Sequence, residues 1–524
     1  MYRELLTKRP WLRIKPDGYL SQADAASSSF TMREDWNATA VSQSDFLCEL
    51  YPSGHRIHSR EFYPNIYRVA EVEKGVDENG ETIYGKRYYE EQVPRIAFAF
   101  QPLIALKHTI HLCGNDVQFD ATKADCSETE KMSISDFRNG WLEKDMEVAF
   151  YRLVRSVKRI ADGAIVGYIT GGIFEWMLLS FENGDRLFPK YSNSGKLELF
   201  ARQFVDYDEE GQQVRMLEVW DEKYLTRLKS TAHKKDGGDV DDDKVIFIGK
   251  YQVEGYEVIE KAPHGFDRIP VAYKRCDDGP AHSSAQDLIE DYEVSFSQMA
   301  QNNKAFGEPI LVFKGEDIDC VPDDLTGSIK TISMDSESDV NYLEGQSASE
   351  SYMKQLETLY KMIFETTSTV IPPKELKSGD LPAAALKILY SPAYEQAIED
   401  TNLFSDVLGD LVEIFKTGYG IETGKLTTFK NMPLKFWLKP YVHINWSAVI
   451  SDLVAAVGAG FLSKQTASER ASEYTTPDEW TRIVNEAQEQ AEKDLEAQIL
   501  LEKEKAKNAA TNTTQQATNT TNTK

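Results

Sequence analysis

A few side-chain groupings in this sequence have types and spacings that could carry chemistry. Gly420-Ile-Glu-Thr-Gly-Lys425 resembles a phosphate loop at first sight. Such a loop needs four residues between its glycines and a Ser or Thr after the lysine, so that backbone N–H groups cradle the phosphates and the hydroxyl meets the metal. Here three residues separate the glycines and Leu426 follows, so Gly418 to Gly424 reads as a plain loop. The polar stretch His233 to Lys244 carries Asp236, Asp239, Asp241, Asp242 and Asp243. A calcium loop needs glycine at its sixth position and glutamate at its twelfth. Counted from Asp239, those places hold Lys244 and Lys250, which leaves a solvated hairpin tip. His55 and His58, and likewise His108 and His111, are three apart. Neither pair has a carboxylate at the spacing of a zinc enzyme, so ordinary polar surface or a satisfied core histidine is the better reading. Gly-x-Ser-x-Gly is absent, which removes a nucleophile elbow. No cofactor, metal or catalytic residue is expected, although an acid pair could hide among the 85 carboxylates.

The one basic feature with a positional argument is Lys374 with Lys377, on Ile371-Pro-Pro-Lys-Glu-Leu-Lys-Ser-Gly-Asp-Leu-Pro382. Its prolines and glycine forbid a continuous helix. If this loop faced a duplex, both lysines could touch phosphates without reading bases. Two ordinary surface lysines is an equal reading.

The elements around this loop organise the chain. Ser283 to Phe306 has helical apolar spacing through Leu288, Ile289, Tyr292, Phe296 and Met299, with Ser283 and Gln286 as a capping box. Asp287, Glu290, Asp291 and Glu293 fill the polar remainder. A second helix starts at Ser347 and runs past Tyr352, Leu356, Leu359 and Ile363. Between them, Gly307 to Gly345 has strand signals at 310–313, 329–334 and 340–343. After the loop, helical pattern resumes from Leu386 to Phe415, with a kink expected at Pro392.

Upstream, Glu78-Asn-Gly-Glu81 marks a hairpin turn. Residues 95–112 read as an extended segment yielding to a helix near Pro102. Phe137 to Ile160 reads as one amphipathic helix, followed by strands to Tyr273. Downstream, 434–438 and 442–446 read as strands, and 449–457 and 464–474 as short helices. Thr476-Pro-Asp-Glu479 starts a helix whose apolar face carries Trp480, Ile483, Val484, Leu495 and Ile499. Thr511 to Lys524 is Thr/Asn/Gln-rich and is expected to be disordered. The fold class that follows is α+β.

Composition narrows the function. The net charge is −26, from 85 acidic against 59 basic residues. That balance argues against a sequence-reading DNA binder, yet suits a wall past which DNA slides; plain solubility is the commoner cause. The 5 cysteines are scattered, with no C-x-x-C pair, which is a reduced, intracellular pattern. Met-Tyr-Arg-Glu-Leu-Leu is no signal peptide, and no run approaches the roughly 18 apolar residues of a membrane span.

In order and spacing, several segments resemble the portal proteins of tailed double-stranded-DNA phages. They are Arg95 to Phe119, Arg268-Ile-Pro-Val-Ala-Tyr273, Gly307-Glu-Pro-Ile-Leu-Val-Phe-Lys-Gly315, Ser378 to Ser391, and Ile444-Asn-Trp446 followed by Gly460 to Ala467. Asp380 to Ala384 depart from the pattern, because the family often joins Ser-Gly directly to Ala-Leu-Lys.

The resemblance implies a dodecameric ring at one capsid vertex. It implies a wing over 1–280, a first stem helix over 281–306, a clip over 307–346 and a second stem helix over 347–370. A tunnel loop over 371–383, carrying Lys374 and Lys377, would be followed by the returning wing over 384–446, a crown over 447–509 and a disordered tail over 510–524. Implied partners are further copies of the chain, double-stranded DNA in the channel, terminase, a head-to-tail adaptor, the major capsid protein and a scaffold protein, with no membrane. The clip's Val312, Ile318 and Val321 form little core alone, so strand exchange between subunits is expected. The alternatives are a metal-dependent nuclease or nucleotide hydrolase of the packaging apparatus, and a capsid or tail-tube component.

Overall fold

The computed structural model describes residues 35–76, 82–122, 127–192, 195–207, 211–230, 245–248, 251–254, 256–306, 310–314, 339–343, 349–372, 385, 388–441, 446–471 and 479–520. The chain divides into two compact units. One comprises Met1–Pro372 with Ser391–Val442, the other Pro373–Tyr390 with His443–Lys524. The fold is α+β, with antiparallel sheets throughout.

In the first unit, helix α1 (Asp35–Leu50) precedes a hairpin of β1 (Ile66–Val76) and β2 (Thr82–Glu91). Helix α2 (Phe100–Cys113) has Pro102 in its first turn, where a missing N–H costs nothing. Strand β3 (Gln118–Ala121) then leads to α3 (Glu128–Glu143) and α4 (Met146–Ile160). Strands β4 (Asp162–Thr170) and β5 (Ile173–Leu179) turn at Gly171 and Gly172, whose φ values of 61° and 85° a side chain would strain.

A five-stranded meander follows: β6 (Arg186–Tyr191), β7 (Leu197–Tyr207), β8 (Gln213–Trp220), β9 (Tyr224–Ser230) and, after the hairpin of β10 (Val245–Ile248) with β11 (Tyr251–Glu254), β12 (Tyr256–Pro263). Strand β13 (Val271–Arg275) returns to pair with β4. Helix α5 (Gln286–Phe306), the pair β14 (Ile310–Lys314) and β15 (Asp339–Leu343), and helix α6 (Ser349–Thr366) come next. Helix α7 (Ser391–Thr423) then lies across β4, β5 and β13 and against α2. The short α8 (Leu426–Asn431) and β16 (Leu434–Trp437), paired with β3, complete the unit.

The main core gathers α3, α4, α7 and α8 around Phe137, Trp141, Phe415 and Phe429, with Phe174 of β5. Trp141 and Phe415 meet edge to face at 5.3 Å, and Phe137 and Phe415 at 5.1 Å. Each fully buried aromatic contributes about 2 kcal/mol by area alone, before ring geometry adds to it.

Several expectations need correction. Residues 137–160 form two helices, not one. Asp145 adopts φ 54°, and the Lys144 carbonyl accepts the Trp176 indole N–H at 2.8 Å instead of continuing the ladder. Gly418 to Gly424 is not a loop, because α7 runs to Thr423. Its glycines serve close approach, since a Cβ on Gly418 would lie 2.0 Å from Phe174 Cδ2, and one on Gly420 2.8 Å from Leu426 Cα. Pro392 does not bend a helix midway. Tyr390 is a turn and α7 begins at Ser391, placing the proline in the first turn. The Ser283–Gln286 capping box is replaced by a 3-10 turn, Ser283–Ala285, without a side-chain cap. The Gln286 amide instead donates to Glu290 and accepts from Gln101.

The second unit contains α9 (Trp446–Gly458), α10 (Lys464–Arg470) and α11 (Glu479–Thr520). Ser463 caps α10 through the Thr466 N–H at 3.0 Å. Trp446 opens α9 instead of closing a strand, and 442–445 lie outside the described residues. Helix α11 is 42 residues long and reaches Thr520, so residues 511–520 are helical where disorder was expected. Alanines in 506–517 and the helix-tolerant glutamines let the propagated helix continue. The aspartate-rich 233–244, strand 329–334 and the Ser347 cap lie outside the described residues.

Candidate functional site

The paired helices α5 and α6 are the feature to which the sequence attached function. Their contact is apolar: Ala285 of the preceding 3-10 turn and Ile289 of α5 gather with Ile363 and Phe364 of α6, with Phe100 and Ile104 of α2 beneath. Aromatic rings knit this base together. Phe98 stands edge-on to Tyr292 and Phe296 at 5.1 and 5.0 Å, and Phe100 to Tyr292 and Phe364 at 5.2 and 5.8 Å. Higher up, the Gln355 amide donates to Ser295 Oγ at 3.0 Å, a polar tie between the two helices.

A buried polar network fastens α5 to the N-terminal segment. Glu293, only 1% exposed, accepts from the Phe98 N–H at 2.8 Å and lies 2.7 Å from His55 Nδ1. His55 Nε2 faces the Glu49 carbonyl at 2.8 Å. A carbonyl only accepts, so Nε2 carries a proton and a further proton lies between Nδ1 and the carboxylate. Nearby, Arg56 donates to Glu290 at 2.7 Å, His282 Nε2 is 3.2 Å from a Glu49 carboxylate oxygen, and the Ile96 N–H donates to Ser297 Oγ at 3.0 Å.

Glu290 and Glu293 were expected on a wet face; the structure turns both inward. The exposed charges of the pair are Asp287, Asp291, Glu350, Glu357 and Glu365 against Lys304, Lys354 and Lys361. Burial and the neighbouring Asp287 hold the Asp291 carboxyl above its ordinary value.

Helix α6 ends in a tight, satisfied turn. Ser368 takes φ 51°, the Thr369 N–H returns to the Phe364 carbonyl at 2.9 Å, and the Thr367 hydroxyl donates to the Ile363 carbonyl. His108 of α2 pins that turn: Nε2 lies 2.8 Å from the Thr367 carbonyl. Burial lowers the His108 pKa to about 4, so the ring is neutral and donates from Nε2. Close by, Lys158 of α4 and Asp400 of α7 form a buried pair at 2.5 Å. Ile371 packs against the aromatic base, and the described chain pauses at Pro372. Lys374 and Lys377 lie outside the described residues.

The remaining sequence candidates resolve into structural roles. His55 is a satisfied core histidine, His108 is a core histidine paired through Nε2 alone, and His111 Nδ1 lies 3.0 Å from the Tyr441 carbonyl. His58 is exposed, with Nε2 3.1 Å from the Pro52 carbonyl. Lys425 of the phosphate-loop look-alike bonds Asp136 at 2.7 Å, just past the end of α7. Among the described residues no group of His, Cys, Asp and Glu is placed to hold a metal ion, and no helix is long and apolar enough to cross a membrane. The buried roles of Glu293, Ser297, Gln286 and Thr367 escaped the sequence reading. Each is a polar residue on a helix or in the turn that ends one, its burial depends on distant chain, and no local pattern signals that.

Comparison with known proteins adds three findings. The family model described as "Phage portal protein, SPP1 Gp6-like" matches residues 56–499. Curated proteins give no match. Among solved structures, a chain of "Neck of empty GTA particle computed with C6 symmetry" is similar at 11% identity, covering 70% of this chain and 88% of that one, with a TM-score of 0.36.

Proposed function

The chain belongs to the phage portal proteins of the SPP1 Gp6-like family, and from that premise we propose that copies of it form a ring at one capsid vertex. DNA passes through the ring during packaging and ejection. Terminase and a head-to-tail adaptor dock on it, and the capsid and scaffold proteins surround it. The family is a structural one, and the reading assigns this chain no chemistry of its own. Twelve subunits is the number the family resemblance implies.

One observation carries the reading. Helix α6 buries Leu356, Ile363 and Phe364 and leaves Met353, Tyr360 and Met362 exposed on its other sides. A helix with apolar residues on more than one side calls for more than one packing partner. Neighbouring copies supply the missing ones. The exposed charges of α6 alternate in sign, and the helix pair together carries a small acidic excess, which suits a wall that neither grips nor reads DNA. On this reading, α5 and α6 are the stem, 307–346 the clip, 371–383 a tunnel loop presenting Lys374 and Lys377 to phosphates, and 447–509 the crown. Strand exchange between clips would cover their small cores.

The test is the mass and shape of the purified protein. Light scattering should give a particle many times 59.4 kDa, and negative-stain images should show an annulus with a central hole. Compact single copies at high concentration would overturn the proposal. DNA cleavage dependent on a divalent metal would favour an enzyme of the packaging apparatus instead.

A further inference from the structure

Among the described residues the hairpin β1–β2 is a sheet of two strands, 11 and 10 residues long, with no third strand on either edge. An isolated two-stranded hairpin is marginal in water, and an open edge invites pairing. Its register places Val69 opposite Tyr88, and Tyr67 beside them on the same face. That face is open: Tyr67 is 72% exposed, Val69 51% and Tyr88 69%. Three large apolar side chains together on an uncovered sheet face mark a surface that another molecule covers.

The hairpin is nevertheless held in place at its base. Asn65 donates to Glu90 at 2.7 Å, the Arg95 guanidinium donates to the Asn65 side chain and the Tyr63 carbonyl, and Lys304 of α5 reaches Glu91 at 3.3 Å. It therefore stands beside the far end of α5, next to the helix pair whose outer sides are also uncovered.

Its size says what kind of molecule covers it. A hairpin of this length is roughly 35 Å long and about 10 Å wide, so one face offers some 300–400 Å². A lasting interface needs about 800 Å² on each partner. The face is too small to hold a separate soluble protein, yet large enough to extend a contact that already exists.

We propose that the Tyr67–Val69–Tyr88 face packs against a second copy of this chain, continuing the contact made by the helix pair. The inference rests on the ring reading and adds a specific subunit contact to it. The hairpin is a strap laid across a neighbour, and its tyrosines bury their rings there while their hydroxyls stay near the rim.

The test uses the full chain and reads the wild type first. If wild-type protein is monomeric by light scattering, the ring reading and this contact fall together. If it is a ring, the photocrosslinking amino acid benzoylphenylalanine at Tyr67 should give covalent dimers of the chain on illumination. The Tyr67→Ser, Tyr88→Ser double variant should keep the wild-type circular dichroism and melting of the subunit. Its ring should dissociate at protein concentrations at least tenfold higher than the wild-type ring does. A wild-type ring that yields no crosslinked dimers, or a double variant whose ring dissociates as the wild type does, overturns the contact and leaves the ring standing. Crosslinking in assembled particles to a different protein instead of a second copy overturns it equally.

Discussion

Glu293 accepts from the backbone N–H of Phe98 with the same carboxylate oxygen that faces His55 Nδ1, inside α5 and out of contact with water. Glu293→Leu would leave both donors buried without an acceptor. A loss of about 3–5 kcal/mol is expected. Glu293→Gln should cost less, because its amide oxygen in the same place still accepts from the Phe98 N–H and only the contact with His55 is weakened. Chemical denaturation of the two variants checks this, and equal losses would refute the assigned hydrogen bonds.

Glu147 carries a second internal carboxyl. Burial raises its pKa to about 7, against the opposing hydrogen bonds from the Val117 N–H and the Trp141 indole. Burial also raises Asp162 to about 7. Since both folded-state values exceed the unfolded ones, the folded state binds more protons between about pH 4 and 7. The contribution to stability is present at low pH and is lost as pH rises through 7. Both bonds to Glu147 reach the same oxygen, Oε1, so Glu147→Gln keeps them and removes the charge. It should stabilise the protein by about 2 kcal/mol at pH 8 and by much less at pH 5. Thermal melts across that range decide it.

His108 works in the opposite sense. Its folded-state pKa, about 4, lies below the usual value of 6.5. Its contribution is intact above about pH 6.5 and is lost as pH falls toward 4. Hydrogen exchange at the turn after α6 should therefore quicken in mild acid, and His108→Gln should remove that acid dependence.

Two glycines of α7 should respond with opposite signs. At Gly418 a Cβ meets Phe174 at 2.0 Å, whereas at Gly409 the nearest atom, Phe436 Cζ, is 3.6 Å away. Alanine gains about 1 kcal/mol of helix propensity at either site. At Gly418 the clash should exceed that gain, giving a net loss of about 1–3 kcal/mol. Gly409→Ala should raise the melting temperature.

For the loop, Lys374→Ala combined with Lys377→Ala should leave ring assembly intact and alter DNA retention or packaging. Unchanged genome length and particle yield would count against a DNA-facing role.

Periodicity carried a long way here. The helix pair, the strands from Ala164 to Leu228, the Gly171-Gly172 turn and the antiparallel partners at 310–313 and 340–343 follow from alternation, helical spacing and turn chemistry. These signals are local, and local signals survive in a linear string. The family, too, was legible in the order of short segments, none of which would have sufficed alone.

The sequence by itself determined most of the helices and strands among the described residues, the helix pair included. Only the tertiary structure decided what the polar residues on those helices do. Glu290 and Glu293 read as a solvated face, yet His55 and Arg56, far away in the chain, draw them inward. Gly418 read as part of a loop, yet Phe174 makes it the residue that lets a helix pass close by. In each instance the deciding partner is distant in sequence, and the free energy of burying or pairing a group belongs to the contact, which no single segment contains.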